Sequence, residues 1–380
     1  MRIKQIINRK PAELASALSR IGDETADLLL IFGSVEHLTF PGLHESLSNA
    51  FPGALLLGCS TAGEITADGV DDQTCTVTAI KFDHASLHQG STRLAGMEDS
   101  FAAGERLGRQ IAGAGLKAVL VFGPGVQING SALVNGITSV IGSAIPITGG
   151  LAGDGGAFKE TFTIGPDGVA NDNIVAVGLS GDGLRFGHGS FGGWEPFGPA
   201  RKVTSCDGNI LHELDGEPAL EIYRRYLGEH AKGLPASGLL FPFAMLGEDH
   251  SAVGLIRTIL GIDEASGSLI LAGEIDPDGY LRLMHASTDK LVSGAESAAE
   301  AAAAMLQGNG ESVAILVSCV GRKLVMGDRV DEEVEAVGEV FGQAGVLTGF
   351  YSYGEISPFA PGASCKLHNQ TMTITCLSEA

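Results

Sequence analysis

The sequence has few charged and few aromatic residues, and it lacks the patterns that mark several large classes of protein. Charged residues make up 18% of the 380 residues and aromatic residues 6%, with a single tryptophan. No long run of lysine or arginine occurs, and the formal net charge is −21. Nucleic acids and anionic membrane surfaces bind positive faces, so this composition argues against both as partners.

Long apolar runs and targeting signals are missing as well. No apolar stretch reaches the roughly 18 residues that a membrane-spanning helix needs, and the nearest, residues 234–246, is interrupted by prolines. The first residues lack the apolar core and cleavage site of a secretory signal. We therefore expect a cytoplasmic protein without membrane insertion.

Cysteine is sparse and shows no metal-binding arrangement. The six cysteines have neither a Cys-x-x-Cys pair nor zinc-finger spacing. Reduced thiols in the cytoplasm are the simplest interpretation, and covalent c-type haem is excluded because no Cys-x-x-Cys-His occurs.

Apolar residues and glycine are abundant. Hydrophobic residues make up 44% of the chain, the mean hydropathy is +0.21, and 55 glycines are spread without a collagen-like period. A chain of this length is predicted to form two domains or one large fused domain. The glycines indicate many turns and close backbone approaches.

A strand, a helix, a second strand and a glycine turn follow one another three times. The predicted strand–helix–strand sets are 26–33, 41–51 and 54–58; 118–123, 131–141 and 145–148; and 313–319, 331–341 and 346–347. An acid follows each turn: Glu64, Asp154 and Glu355. A repeated unit and chance resemblance in a glycine-rich chain both remain open. The predicted fold class is α/β, mixed and β-rich, with repeated strand–helix–strand units forming mixed or antiparallel sheets flanked by helices.

The stretch between the second and third sets has a different pattern. A helix is predicted at 217–227, with Pro218 in its first turn, and a second at 295–306. Alternating segments at 255–260, 268–274 and 280–285 predict antiparallel strands, whereas 74–82 alternates like a strand with one exposed face. The boundary between two halves is predicted near 215–235.

The C-terminal segment 349–372 combines aromatic and polar side chains in two turns. It contains Tyr351, Tyr353, Glu355, His368 and Asn369. Aromatic walls with a few convergent polar groups are typical of small-ligand pockets. The alternative is that these glycines and polar groups only shape turns and cap strand ends.

Several motifs together resemble one protein family. Residues 58–65, 150–155 and 193–198 resemble signatures of the FIST N-terminal region, and residues 214–220, 319–322, 349–356 and 368–372 resemble those of the FIST C-terminal region. The resemblance implies a FIST N domain at 25–215 and a FIST C domain at 216–380. It also implies a stand-alone bacterial sensor that binds a small ligand between these regions and regulates a signalling partner such as a histidine kinase.

The resemblance suggests two kinds of ligand. Amino acids have been proposed as ligands for the family, and one subgroup of similar proteins binds haem and senses nitric oxide. Haem b binding requires an axial side chain, usually histidine. The candidates beside motifs are His188, His212, His285 and His368, and nothing in the sequence chooses among them.

Arg322, after a predicted buried strand, is the candidate for holding a ligand carboxylate. Its guanidinium can do so with two hydrogen bonds, or it can form an internal ion pair with Glu355 or another acid. For an amino acid, Glu355 or Asp154 would take the ammonium group. The other candidate ligand-binding residues are Tyr351, Tyr353, Asn369, Cys59 and Ser60.

No convincing catalytic constellation is present. Ser60 does not fit Gly-x-Ser-x-Gly because position 62 is alanine. A hydrolase using Cys59 or Cys319 as nucleophile is therefore a weakly supported alternative to a sensor, and a purely structural interaction module is a third.

Overall fold

One α/β unit occurs three times along the chain. The computed structural model describes residues 1–21, 25–234, 236–306, 311–342 and 345–380. In each unit an edge strand precedes two parallel strands joined by helical chain, and a two-stranded hairpin and an antiparallel return strand follow. The expected mixed α/β fold with helices beside mixed sheets is confirmed.

The elements follow one another in this order. Unit 1 contains β1 (Arg2–Asn8), α1 (Leu14–Leu18), β2 (Leu28–Gly33), α2 (Val35–Leu38), α3 (Leu43–Ala50), β3 (Leu55–Ser60), β4 (Glu64–Thr66), β5 (Gly69–Asp71) and β6 (Cys75–Lys81). Unit 2 contains β7 (Ser86–Arg93), α4 (Ser100–Ile111), β8 (Leu116–Gly123), α5 (Gly130–Ile141), β9 (Ile147–Leu151), β10 (Thr163–Gly165), β11 (Gly168–Ala170) and β12 (Asn173–Ser180). Unit 3 begins with β13 (Leu184–Phe191) and is then interrupted by an insert: β14 (Glu195–Asp207), β15 (Ile210–Leu214), β16 (Glu217–Pro218), α6 (Ala219–Leu227), β17 (Phe243–Leu246), β18 (Ala252–Arg257), β19 (Ile259–Asp263), β20 (Ser268–Leu271) and β21 (Tyr280–His285). It continues with α7 (Thr288–Ala304), β22 (Ser312–Cys319), α8 (Val320–Met326), α9 (Asp331–Phe341), β23 (Gly345–Ser352), β24 (Gly354–Pro358), β25 (Cys365–His368) and β26 (Met372–Glu379).

Each unit donates its hairpin to the sheet of another unit. Sheet 1 has the order β1-β6-β2-β3-β10-β11, sheet 2 β7-β12-β8-β9-β24-β25, and sheet 3 β13-β26-β22-β23-β4-β5. The hairpin of unit 1 therefore completes sheet 3, that of unit 2 completes sheet 1, and that of unit 3 completes sheet 2. Sheets 2 and 3 each combine strands from before and after residue 215, so the described units share their sheets across the expected boundary at 215/216. The boundary itself stays a prediction.

The glycines of the three motifs occupy equivalent positions. Gly58, Gly149 and Gly349 lie in the second parallel strand of each unit, opposite a donated hairpin. A Cβ atom there would lie 1.8, 1.9 and 2.0 Å, respectively, from a carbonyl oxygen of the first parallel strand. No side chain fits at such a distance, which explains why glycine recurs and shows that the internal repeat is structural.

The central core lies where the inner faces of the three sheets meet. Phe32, Phe122 and Phe350 pack together there, with ring centroids 4.8–5.6 Å apart. Helices cover the outer faces: α1 and α3 on sheet 1, α4 and α5 on sheet 2, and α7 and α9 on sheet 3. The interpretation of segment 74–82 as a strand with one exposed face is therefore wrong, since six of the seven residues of β6 are buried.

The insert forms a fourth, antiparallel sheet with its own core. Its order is β18-β17-β21-β14-β15-β20-β19, with β16 beside β15, and α6 packs on it. The predicted helix from 217 begins at Ala219 because Glu217 and Pro218 form β16. Two 3-10 helices, Gly228–Gly233 and Ala236–Leu240, follow α6, and the second lies against α8.

Helix α7 begins earlier than predicted. It starts at Thr288 rather than at residue 295, because the Ser287 hydroxyl accepts a hydrogen bond from the Lys290 N–H at 3.4 Å and caps it. Gly308 and Gly310, the glycines that follow this helix in the sequence, lie outside the described residues. Within the described ranges no helix combines the length and apolarity needed to cross a membrane.

Candidate functional site

The carboxyl ends of all six parallel strands meet at one end of the threefold core. The residues that follow these strands line a single cleft of about 1380 Å³, roofed by the insert. Ligands of open α/β sheets bind at this end of the strands, because backbone turns and polar side chains are concentrated there. The core contributes, among others, Ser34, Thr61, Gly125, Asp154, Lys323 and Tyr353, and the insert contributes Gly233, Leu234, Leu239, Ile259 and Leu260.

Tyr353, directly after β23, organises one wall of this central cleft. Its hydroxyl donates to the Asp154 carboxylate and accepts hydrogen bonds from the N–H groups of Gly156 at 2.9 Å and Asp154 at 3.2 Å. Its ring stacks on Phe158 with centroids 4.1 Å apart. Two of the predicted ligand residues, Tyr353 and Asp154, are therefore brought together from different units.

The Asp154 carboxylate is fully engaged with the protein. Besides Tyr353, the backbone N–H groups of residues 158–160 donate to it at 2.7–3.0 Å. Partial burial opposes its ionisation, but the hydrogen bonds from Tyr353 and the backbone lower its pKa below the usual value. Asp154 thus shapes the wall of the cleft, and it has no oxygen left for the ligand ammonium group that we had expected it to bind.

Lys323, which sequence reasoning did not select, is the cation of the central cleft. Its Nζ donates to the Ala62 carbonyl at 2.9 Å and to the Asp72 carboxylate at 2.5 Å. Gly63, at φ +134°, leaves room for the ammonium group, since a Cβ there would lie 2.5 Å from Nζ. Among the described lining residues Lys323 is the one lysine or arginine. The same lining contains four acidic residues: Glu36, Glu64, Asp72 and Asp154.

Arg322 does not reach the cleft. Its side chain is fully buried and forms an ion pair with Glu333, with 2.7 Å between Nη2 and the carboxylate. Nε also donates to Glu333, at 3.2 Å, while Nη1 donates to the Gly192 carbonyl at 2.5 Å and Nη2 to the Leu291 carbonyl at 2.9 Å. The expected role of Arg322 in holding a ligand is therefore corrected. Arg322 forms the internal ion pair that was the alternative, and its partner is Glu333 rather than Glu355.

Tyr351 belongs to the same buried network. Its hydroxyl donates to Glu333, which also accepts from the Ser318 hydroxyl at 2.9 Å. Tyr351 and Glu333 are both fully buried. Burial raises the pKa of Tyr351, and the Glu333 charge adds to that effect. The expected ligand contact of Tyr351 is thus corrected to a structural one.

Glu355 fastens the donated hairpin of unit 3. Its carboxyl group accepts from the Ser352 hydroxyl at 2.6 Å and from the N–H and hydroxyl of Thr371 at 3.1 and 3.0 Å. Burial raises its pKa to about 7. Because the carboxyl group is fully enclosed, Glu355 is also corrected from a ligand residue to a structural one.

Glu64 makes the equivalent contacts in unit 1. It accepts from the Thr61 hydroxyl and from the N–H and hydroxyl of Thr74 at 2.9 and 2.7 Å, and burial raises its pKa to about 7. The equivalent position in unit 2 is Thr163 rather than Asp154, because Glu64, Glu355 and Thr163 hold the same register against the second parallel strand. The grouping of Asp154 with the two glutamates is therefore wrong.

Cys59 and Ser60 are buried in the core at the end of β3. The Ser60 hydroxyl donates to the Gly153 carbonyl at 2.7 Å and accepts from the Phe162 N–H at 2.9 Å, which ties units 1 and 2 together. Cys59 is fully buried, and burial raises the pKa of its thiol and that of Cys319. Neither thiol lines the cleft, so both are placed as core residues rather than as nucleophiles.

The remaining predicted polar residues also lie away from the cleft. Asn369 is 2% exposed, and the Nε2 of His368 lies 2.9 Å from the Ser357 carbonyl oxygen in a buried setting that lowers the pKa of His368 to about 4. No histidine or cysteine is found among the described residues lining the cleft. The cleft therefore offers neither a histidine nor a cysteine as an axial haem ligand. The described part of the chain also contains no metal-binding cluster of His, Cys, Asp and Glu.

The fold and the cleft define an α/β protein with a pseudo-threefold core whose central cleft lies beneath an inserted sheet. Residues 27–217 match the model of the FIST N domain and residues 219–358 that of the FIST C domain. The chain belongs to the FIST family, whose domains are associated with sensing of small ligands in signal transduction.

Curated relatives share parts of the chain. An uncharacterized protein of Methanocaldococcus jannaschii is 39% identical over 92 residues, 23% of this chain and 17% of the relative. One of Mycobacterium bovis is 26% identical over 253 residues, 64% and 60% of the two chains, and one of Mycobacterium tuberculosis is 26% identical over 234 residues, 59% and 57%. The chain thus spans less than two thirds of each. A cyanuric acid hydrolase from A. caulinodans aligns over 100% of this chain and 98% of its own at 9% identity, with a TM-score of 0.40 that supports no conclusion on activity.

Proposed function

We propose that the protein is a cytoplasmic sensor that binds a small polar molecule, such as an amino acid, in the central cleft and reports its presence to a signalling partner such as a histidine kinase. The observation that supports this proposal is the origin of the cleft walls. One side comes from turns within residues 27–217, and the other from the insert, α8 and Tyr353 within residues 219–358. A bound molecule would contact both regions and so stabilise one relative arrangement of them.

The charges of the cleft suggest how such a ligand would lie. Lys323, held by Asp72 and the Ala62 carbonyl, would take the carboxylate that we first assigned to Arg322. Glu36, which makes no ion pair among the described residues, lines the same cleft and would face an ammonium group. The stacked rings of Tyr353 and Phe158 would contact the ligand side chain.

The test uses the single tryptophan as a reporter. The Nε1 of Trp194 donates to the Gln370 carbonyl at 2.7 Å, and the Gln370 amide donates to the Leu239 carbonyl of the insert at 2.9 Å. Titration with individual amino acids should change the fluorescence of Trp194 saturably. Binding at a hundred times Kd should also raise the free energy of unfolding by about 2.7 kcal/mol.

Variants of Lys323 separate this site from unspecific binding. Lys323→Met should weaken binding roughly 10- to 150-fold, because this factor corresponds to the usual free-energy contribution of a hydrogen bond to a charged group. The exposed Lys232, in the first 3-10 helix, provides the matched control Lys232→Met, which should bind like the parent. If Lys323→Met binds every ligand as the parent does, the central cleft is not the sensory site.

A further inference from the structure

A second cavity lies between the insert and sheet 2, away from the central cleft. Its volume is about 230 Å³. Helix α5 contributes Ser131 and Asn135, the insert contributes Met245, Leu255 and Arg257, and β25 contributes Lys366.

Arg257 is buried in the wall of this second cavity without an acidic partner. Its side chain is 3% exposed, and no carboxylate of the described residues lies within the 4 Å that an ion pair requires. Nε donates to the Glu274 carbonyl at 3.1 Å, and Nη1 makes two long contacts, of 3.3 and 3.4 Å, to the carbonyl oxygens of Ile256 and Leu367. Nη2 has no hydrogen bond within the described chain.

A comparison with Arg322 shows what this arrangement lacks. Both guanidinium groups are enclosed, but that of Arg322 has the Glu333 carboxylate as counter-charge. Buried charges in proteins are normally paired, because desolvation of a lone charge is costly. Burial lowers the pKa of Arg257 to about 10, with the nearby Glu274 charge acting in the opposite direction. An anion supplied from solution would provide the missing counter-charge.

The backbone beside Arg257 leaves room for the guanidinium. Gly273 has φ +130°, and a Cβ at this position would lie 3.0 Å from the Cζ and Nε atoms of Arg257. A side chain at position 273 would therefore displace the guanidinium from its place against the cavity.

We propose that this second cavity binds a small monocarboxylate whose carboxylate pairs with Arg257 and whose carbon chain packs on Met245 and Leu255. The apolar side chains in its wall suit a carbon chain, and the amide of Asn135 and the ammonium of Lys366 lie at the same cavity. Glu274 and Asp276 also line it and would repel a phosphate dianion more strongly than a singly charged carboxylate. The site joins the insert to sheet 2 and is separate from the proposed sensory cleft.

The test compares butyrate, butylamine and inorganic phosphate at equal ionic strength. Butyrate should raise the thermal midpoint of the full chain in a concentration-dependent way, whereas butylamine, with the same carbon chain, should not. Arg257→Gln should abolish the butyrate effect, and Lys366→Met should weaken it several-fold. Lys10→Met, which alters a lysine exposed elsewhere, should leave it unchanged.

Each alternative result contradicts the proposal. A butyrate effect that persists in Arg257→Gln, or that is absent in the parent protein, would overturn it. Stabilisation by phosphate but not butyrate, lost in Arg257→Gln, would show that the ligand class is wrong. Should Arg257→Gln fail to fold, Ser131→Leu, which fills the cavity from α5, must remove butyrate binding. Tyr353→Phe in the central cleft must leave it intact.

Discussion

The Arg322–Glu333 pair allows the sharpest test of the placement of Arg322. Both side chains are fully buried, and among the described residues Glu333 is the one carboxylate that forms an ion pair with the guanidinium. Replacing Glu333 by Gln preserves shape but removes the counter-charge, which leaves the Arg322 cation enclosed with neutral oxygen acceptors alone. Loss of one partner of a buried pair typically costs roughly 3–5 kcal/mol.

Glu335 provides the matched control, because it lies on the exposed face of the same helix, α9. We expect Glu335→Gln to change the free energy of unfolding by less than about 0.5 kcal/mol. Urea unfolding would be followed by the fluorescence of Trp194, which lies close to Gly192 of this network, and by far-ultraviolet circular dichroism. Coincident transitions are needed before free energies are compared.

A double replacement tests the electrostatic explanation. Arg322→Met with Glu333→Leu removes both charges, and well-packed apolar residues at buried pairs are often neutral or stabilising. We therefore expect the double variant to be more stable than Glu333→Gln alone. If Glu333→Gln is as mild as Glu335→Gln, the pair is not enclosed as described, and Arg322 becomes a candidate ligand residue again.

Three further outcomes follow from the fold. Gly349→Ala should destabilise the protein by more than about 2 kcal/mol in urea unfolding, because its Cβ would meet a carbonyl oxygen at 2.0 Å, whereas Gly113→Ala, with open space, should not. The pKa of Glu64 and of Glu355 is raised from 4.5 to about 7, so the folded state binds their protons more tightly than the unfolded state does. The free energy of unfolding should then fall as pH rises from about 4.5 to 7, by about 3 kcal/mol for each carboxyl group, and a Gln replacement should remove its share. A thiol reagent should modify Cys206 alone rapidly in the folded protein, since the other five cysteines are buried; rapid reaction of a second thiol would contradict the described core.

Local patterns predicted those parts of the structure that depend on neighbouring residues. The apolar runs before Gly58, Gly149 and Gly349 are strands, as predicted, because continuous apolar segments ended by glycine suit strands buried on both faces. Segment 74–82 is also a strand, but its alternating pattern wrongly suggested one exposed face. Strand β6 lies between the central core, which contains Ile80, and the outer helices, against which Val77 packs, and nothing in the spacing of its residues reveals that second layer.

The candidate ligand residues show where such reasoning fails. Arg322 and Lys323 are neighbours in α8, yet one is enclosed with Glu333 and the other reaches the cleft. Successive residues of a helix point about 100° apart, so the direction of each depends on how the helix is rotated against its neighbours. Asp154 and Tyr353 both line the cleft, but Asp154 is occupied by hydrogen bonds from three backbone groups and Tyr353, which only the folded loop brings together.

The sequence by itself determined the α/β class, the threefold recurrence of glycine turns and the family, because these depend on local periodicity and on motifs that can be read along the chain. Only the tertiary structure decided which sheet each hairpin completes and which polar side chains face the cleft. Hairpin exchange joins residues hundreds of positions apart, such as Ile65 and Gly349. The direction of a side chain is set by packing between layers. Neither the pairing of distant strands nor the direction of a side chain can be predicted from the short-range spacing of residues.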